Sequence, residues 1–328
     1  MSGDTSPTGA EAGMSTGRPI DVSFAVACYN AGDYLEPAIR SALAQKDVVI
    51  EVLVVDDGST DGSREVTQRL AQEDARVVPL RTPRNSGPAG ARNVALDAMR
   101  GQWYAILDAD DLILPDRSRT LLALAAKYSA DMVADNLIQF GEGIAEEPMF
   151  DLAAPGSDTL LNLDRYFADS QLFGPKPSPG YLKPMIRRDA MLRADLRYNE
   201  GLQIGEDDEL VIRALAQGLR YAVCDYAGYF YRKHEASISH RLSLDHLEKM
   251  ISAEDSIGAL LPDAVRHSRA YRGRRAALRR AAAFTRSIEA LKRKAPAAAL
   301  REIAREPSAL ALYSMPIRAR LQRMLRSR

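Results

Sequence analysis

Short apolar runs at residues 22–27, 51–55, 76–80 and 103–107 alternate with stretches of helical spacing. This alternation limits the fold more than any other feature of the chain. The first helical stretch covers residues 34–45, with Leu35, Ile39, Ala42 and Leu43 on one side. The second covers residues 63–73. The third covers residues 88–99, with Pro88 at a favourable first position and Gly101 closing it. Repeated strand-helix-strand units require crossover connections. They predict an α/β chain with a mostly parallel central sheet covered by helices on both faces.

In such sheets ligands bind beyond the carboxyl ends of the strands. Three of those ends carry polar clusters here: Tyr29-Asn30, Asp56-Asp57 and Asp108-Ala109-Asp110-Asp111. Three carboxylates in the last cluster repel one another and lose hydration unless a cation or donor groups compensate. Hard divalent cations such as Mg²⁺ or Mn²⁺ prefer oxygen ligands and often share carboxylates with phosphates. The cluster reads either as a metal-diphosphate site or as a solvated acidic turn that caps the next helix.

The 328 residues suffice for one large domain or two smaller ones. Two distant cysteines, Cys28 and Cys224, show no metal-ligand spacing and fit cytosolic thiols. No uninterrupted apolar stretch is long enough to span a bilayer. Residues 1–18, rich in Gly, Ser and Thr, read as a disordered leader, with Met14 as an alternative start. The zero net charge conceals an asymmetry. From residue 265 to the end there are 18 Lys and Arg against 3 Asp and Glu, and the rest of the chain is correspondingly acidic. Such a tail suggests an anionic partner. Beyond residue 242 the chain reads as helical, with a stripe of Ala277, Ala281, Phe284, Ile288 and Leu291. Pro296, Pro307 and Pro316 interrupt it.

Five motifs in order carry a resemblance: Ala27-Cys28-Tyr29-Asn30, Val55-Asp56-Asp57-Gly58-Ser59-Thr60-Asp61, Asn85-Ser86-Gly87 with Ala91-Arg92-Asn93, Asp108-Ala109-Asp110-Asp111, and Gly205-Glu206-Asp207. Together they resemble glycosyltransferase family 2 over roughly residues 20–240. The resemblance implies a GT-A fold and inverting sugar transfer from a nucleotide diphosphate. It divides the chain into a nucleotide-sugar half at 19–114, an acceptor half at 115–241 of the same domain, and a helical basic tail at 242–328.

The resemblance also assigns roles. Tyr29, Asn30, Asp56, Asp57, Arg84, Arg92 and Asp108 fall on the nucleotide-sugar side, with Asp56 and Asp57 at the uracil and ribose. Asp110 falls at the metal, Mn²⁺ or Mg²⁺, and His234 at the metal or the diphosphate. Asp207 falls at the general base, which takes the acceptor hydroxyl proton. Four adjacent acids, Glu206-Asp207-Asp208-Glu209, raise one another's pKa, which suits a base. Blander readings stand beside these. Asp56-Asp57 can form an Asx turn, with Ser59 or Asp61 as N-cap. Arg84 and Arg92 can be surface arginines. Asp207 can complement a helix dipole. His234 can sit in a surface loop, or Arg232 and Lys233 can close a lid. Asp111 is expected to support the site or cap a helix.

Two departures are informative. Ala27-Cys28 stands where the family often has Pro before Tyr-Asn. The Gln-x-x-Arg-Trp signature of processive synthases is absent, since the only Trp is Trp103. A nonprocessive enzyme is expected, most similar to succinoglycan-type enzymes of exopolysaccharide assembly that move glucose from UDP-glucose. The expected acceptor is a lipid-linked oligosaccharide. The chain would be cytoplasmic and peripheral on the inner face of the membrane, held by the basic tail on anionic lipid. The tail packing on the acidic body is the other reading. Nucleic acid is not an expected partner, because the tail's aromatics are only Tyr271, Phe284 and Tyr313. The alternatives are a sugar nucleotidyltransferase, whose usual Gly-rich basic loop is missing after the first strand, and a non-catalytic membrane scaffold.

Overall fold

The structure is a computed structural model that describes residues 18–152, 159–174, 176–234 and 242–314. The expected leader lies outside the described residues except for Arg18. The expected alternation is present. Strands β1 (Val22–Cys28), β2 (Ile50–Asp56), β3 (Val77–Arg81) and β4 (Trp103–Ile106) alternate with helices α1 (Leu35–Leu43), α2 (Ser63–Glu73) and α3 (Gly87–Ala98). There follow β5 (Leu112–Ile113), α4 (Arg117–Tyr128), β6 (Met132–Ala134), β7 (Leu137–Gly141), β8 (Ile144–Pro148) and β9 (Thr159–Leu161). Next come α5 (Leu163–Asp169), β10 (Met185–Arg187), α6 (Arg188–Arg193), α7 (Glu206–Ala216), β11 (Tyr221–Val223) and β12 (Tyr229–Arg232). Four helices close the described chain: α8 (Leu244–Leu260), α9 (Asp263–Arg266), α10 (Arg269–Lys292) and α11 (Pro296–Arg305).

The large sheet has the order β3-β2-β1-β4-β10-β6-β11-β9. Its β3, β2, β1 and β4 run parallel, and β10 enters antiparallel between β4 and β6. Alternate residues of β1 and β2 feed two cores, as the pleat requires. Phe24, Val26, Val52 and Val54 pack with Leu35 and Ile39 of α1, whereas Ala25, Leu53 and Val55 pack with Ala89, Ala91 and Ala95 of α3. Both faces are therefore covered. A smaller sheet, β5-β12-β7-β8, stands beside the carboxyl end of β4.

Some local expectations fail for physical reasons. Gly101 does not cap α3, which ends in the extended residue Met99. A Cβ at Gly101 would lie 2.6 Å from Ser23 Oγ and 2.7 Å from Ser23 N, so the glycine is needed for close approach to β1. There buried Glu51 accepts from Ser23 Oγ at 2.7 Å and Arg100 N at 2.7 Å. Neither Ser59 nor Asp61 is the N-cap of α2; left-handed Gly62 is, and Asp61 accepts from Ser63 N at 3.1 Å. The acidic cluster is followed by β5 instead of a helix, so no residue of 108–111 caps one.

The C-terminal helices pack on the body. Aromatic rings of Phe167 and Tyr271 join α5 to α10 with centroids 5.0 Å apart. The buried side of α10 carries Tyr271, Arg274, Ala277, Leu278, Ala281 and Ala282, while Leu291 of the expected stripe is exposed. The stripe is turned because α10 meets both α5 and α8. Pro296 opens α11 at its first turn, as proline favours. Part of the tail's described charge is met by acids: Arg274 pairs with Asp208 of the body and with Glu254 of α8, and Arg275 and Arg286 pair with Asp255 and Glu248 of α8. No described helix is long and apolar enough to cross a membrane.

Arg117 and Asp135, both fully buried, form an ion pair at 2.7 Å. Asp135 also accepts Gly228 N at 3.0 Å, and the Arg117 guanidinium lies 5.1 Å from the Tyr229 ring centroid. The pair thus joins α4, the end of β6 and the entry to β12. Removing one partner leaves a buried charge uncompensated, so Arg117→Met is expected to cost about 3–5 kcal/mol in chemical denaturation. Arg117→Met with Asp135→Leu should cost less than the single change; equal or greater cost would contradict this reading. Gly101→Ala is expected to cost about 1–3 kcal/mol through overpacking against Ser23, and an unchanged denaturation midpoint would oppose it.

Candidate functional site

The carboxyl ends of β1, β2 and β4 lie side by side because these strands are neighbours in register. Tyr29 follows β1 and is 55% exposed. Asn30 adopts a left-handed backbone, with φ 51°. Its Oδ1 accepts Thr60 N at 2.8 Å, and its own N–H donates to Ser59 Oγ at 3.0 Å. The β1 and β2 end loops are thereby tied together.

Asp56 and Asp57 separate in role. Asp57 Oδ1 accepts Thr82 Oγ1 at 2.6 Å and Ser86 N at 2.9 Å, and its Oδ2 accepts Gly87 N at 2.8 Å. It thus fixes the loop that opens α3. Asp56 Oδ1 accepts Ser59 N at 2.9 Å, which is the Asx-type turn foreseen as the blander reading. Asp56 also borders a cleft of about 420 Å³ between α2 and β3, with Thr67, Pro79 and Arg81. Arg84 is exposed in the loop between β3 and α3.

Arg92 is not a surface arginine. It is buried in α3, with its guanidinium 5.6 Å from the Tyr198 ring centroid. Nη2 donates to Asp108 Oδ1 at 2.8 Å, and Nη1 donates to Glu206 and lies 3.1 Å from Asp207 Oδ1. Lys183 Nζ lies 2.7 Å from Asp108 Oδ2 and 3.2 Å from Asp207 Oδ2. Burial alone would raise the Asp108 carboxyl, but Lys183 and Arg92 outweigh it and hold it at about 2. Burial likewise opposes the Lys183 charge, and Asp108 and Asp207 reverse that and push its pKa up. Glu206 is raised by burial first and by Asp207 second. The mutual raising expected among the four acids is present at Glu206, and two cations, Arg92 and Lys183, also flank Asp207.

Asp207 stands in the first turn of α7, after left-handed Gly205 (φ 83°), where its charge also complements the helix dipole. Its neighbour Asp208 faces the other way. Asp208 accepts Tyr166 Oη at 2.7 Å and Arg274 Nη2 at 2.7 Å, so α5 and α10 hold the start of α7.

The smaller sheet supplies the remaining wall. Asp111 accepts Tyr229 Oη at 2.7 Å and Arg232 N at 2.7 Å. Burial, then Asp108 and Asp110, push its carboxyl well above the usual range. Arg232 Nε donates to the Asp110 carbonyl at 2.7 Å, and its guanidinium stacks 4.7 Å from the Tyr34 ring centroid. His234 Nε2 lies 2.8 Å from Asp110 Oδ2 and its ring sits 5.2 Å from Tyr34. Asp110 and His234 thus meet across 124 residues of sequence. Ser237 and Ser239, three and five residues beyond His234, lie outside the described residues. Among the described residues, no three His, Cys, Asp or Glu side chains converge as a protein-only metal site needs. Asp110 and His234 fit a cation that takes its other ligands from phosphate and water.

The structure brings together Asp108, Asp110, Arg92, Asp207 and His234. It adds Lys183, Tyr198, Glu206 and Tyr229, which sequence reading missed as site residues. Lys183 had a weak signal, a lone charge in Leu182-Lys183-Pro184-Met185-Ile186. Comparison with known proteins identifies the family. The model of the family described as "Glycosyl transferase family 2" matches residues 23–191. The chain is 39% identical over 305 residues to the succinoglycan biosynthesis protein ExoO of Rhizobium meliloti (strain 1021), covering 93% of this chain and 87% of that protein. It is 35% identical over 250 residues to ExoU of the same organism, covering 74% and 71%. A crystal structure of S. aureus TarS 1–349 in complex with UDP-GlcNAc matches with a TM-score of 0.63 at 17% identity, covering 90% of this chain and 92% of that one. That likeness bears on the fold alone. The chain belongs to glycosyl transferase family 2 and has its GT-A fold.

Proposed function

We propose that this glycosyltransferase moves one sugar per encounter, with inversion, from UDP-glucose to a lipid-linked oligosaccharide in exopolysaccharide assembly. The observation that carries the reading is the meeting of Asp108, on the donor side, and Asp207 on one pair of buried cations, beside Asp110 and His234. The names of ExoO and ExoU support the pathway, and membership of glycosyl transferase family 2 supports a nucleotide-sugar donor.

In this reading Asp56 receives the uracil N–H at the β2 end, and Asp57 acts by holding the 85–87 loop. Tyr29 and Asn30 border the base, Asp108 meets the ribose, and exposed Arg84 offers its donors to the diphosphate. Arg92 acts from beneath through Asp108 and Asp207. Asp110 and His234 would hold Mn²⁺ or Mg²⁺, which supplies charge neutralisation for the departing diphosphate. Asp207 accepts the proton of the acceptor hydroxyl as its oxygen attacks the anomeric carbon. The tail residues left outside ion pairs, and those beyond residue 314, would meet anionic lipid on the inner face of the membrane.

The purified chain should bind UDP in the presence of Mn²⁺ and release UDP from UDP-glucose. Absence of both would overturn the reading, and release of pyrophosphate would favour a nucleotidyltransferase. Asp207→Asn should bind UDP as wild type does while transfer falls roughly 10²–10⁴-fold; unchanged transfer removes Asp207 as the base. Asp110→Ala should weaken Mn²⁺-dependent UDP binding, read by calorimetry with and without metal. Equal metal dependence in this variant and wild type would place the cation elsewhere.

A further inference from the structure

Lys183 lies outside every family-like motif, and the scheme above gives it no role. Its setting is nevertheless built with care. Its carbonyl accepts Arg117 Nη2 at 2.7 Å, and Arg117 is itself fixed by fully buried Asp135. Pro184 follows and favours extended backbone at position 183. The side chain is only 8% exposed, and a buried ammonium is costly unless it is well paired.

The pairing is unusual in form. Asp108 presents Oδ1 to Arg92 at 2.8 Å and Oδ2 to Lys183 at 2.7 Å. Asp207 presents Oδ1 to Arg92 at 3.1 Å and Oδ2 to Lys183 at 3.2 Å. Two carboxylates and two cations form a ring held by hydrogen bonds on three sides and by charge alone between Arg92 and Asp207 Oδ1, so Lys183 makes the only hydrogen bond from a cation to the Asp207 carboxylate. One cation would leave each carboxylate free to turn about its terminal torsion, which is broad. Two cations fix its plane. Arg92 alone could neutralise charge, but it could not orient both groups.

We propose that Lys183 is a positioning residue for the transfer step, closing this ring so that the Asp207 carboxylate is held in plane and at fixed distance from Asp108. The inference rests on Asp207 being the base. Donor binding tolerates an open ring, because Arg92 still holds Asp108 Oδ1 at 2.8 Å when Lys183 is removed, and Asp56 and Arg84 lie outside the ring. The transfer step does, since a misplacement of about 1 Å costs on the order of 10²-fold in rate.

The test uses the full chain with UDP and Mn²⁺ for affinity, and the UDP-sugar that wild type turns over, UDP-glucose or UDP-N-acetylglucosamine, for UDP release. Lys183→Met should keep UDP affinity near wild type and lower kcat roughly 10²-fold. Lys183→Arg, which can still bridge two carboxylates, should recover most of that loss. The double variant Lys183→Met with Asp207→Asn should be no slower than Asp207→Asn alone, because the lysine acts through the aspartate. If Lys183→Met does not fold, Lys183→Gln takes its place with the same outcomes. Wild-type kcat in Lys183→Met, UDP affinity that falls as far as kcat, or a double variant slowed by the full additional factor would each overturn the proposal. A dead Asp207→Asn beside an unimpaired Lys183→Met removes Lys183 alone, whereas an active Asp207→Asn removes the base assignment itself.

Discussion

Two buried cations, Arg92 and Lys183, stand between carboxylates that come from opposite halves of the chain. Asp108 follows β4, and Asp207 stands in the first turn of α7. Lys183 and Arg92 hold the Asp108 carboxyl below its ordinary value, and neither cation could be buried without the carboxylates. The rest of the site depends on this mutual requirement. It sets how close the two halves come, and it aims the proposed base at the donor.

The fold serves that contact from several directions. Parallel β1, β2 and β4 bring their ends into one row. The Arg117–Asp135 pair anchors the backbone of Lys183. Behind α7, Asp208 is gripped by Tyr166 of α5 and Arg274 of α10. The C-terminal helices therefore bear on α7 as well as on the molecular surface. Part of the basic tail's charge is balanced within the chain.

The donor half was legible because its signals are local. Periodicity placed β1 to β4 and α1 to α3 within a residue or two, and the polar strand ends marked Asp56, Asp108 and Asp110. The order of motifs singled out Asp207, and His234 was singled out by the resemblance alone. What sequence could not show was long-range. Asp110 meets His234, and Arg92 meets Glu206, through pairings no local pattern encodes. Strand β10 is three residues long and antiparallel, so it has no periodic signature. Gly101 read as a helix stop because closeness to Ser23 is a tertiary fact. Lys183 carried only the hint of a charge within an apolar run.

The most direct test is a crystal structure of the chain with UDP and Mn²⁺ bound. The account predicts uracil at Asp56, metal density between the diphosphate, Asp110 and His234, and the ring of Asp108, Lys183, Asp207 and Arg92 still closed. A nucleotide bound away from the β1, β2 and β4 ends, or a Lys183 side chain swung out of contact with Asp207, would contradict it.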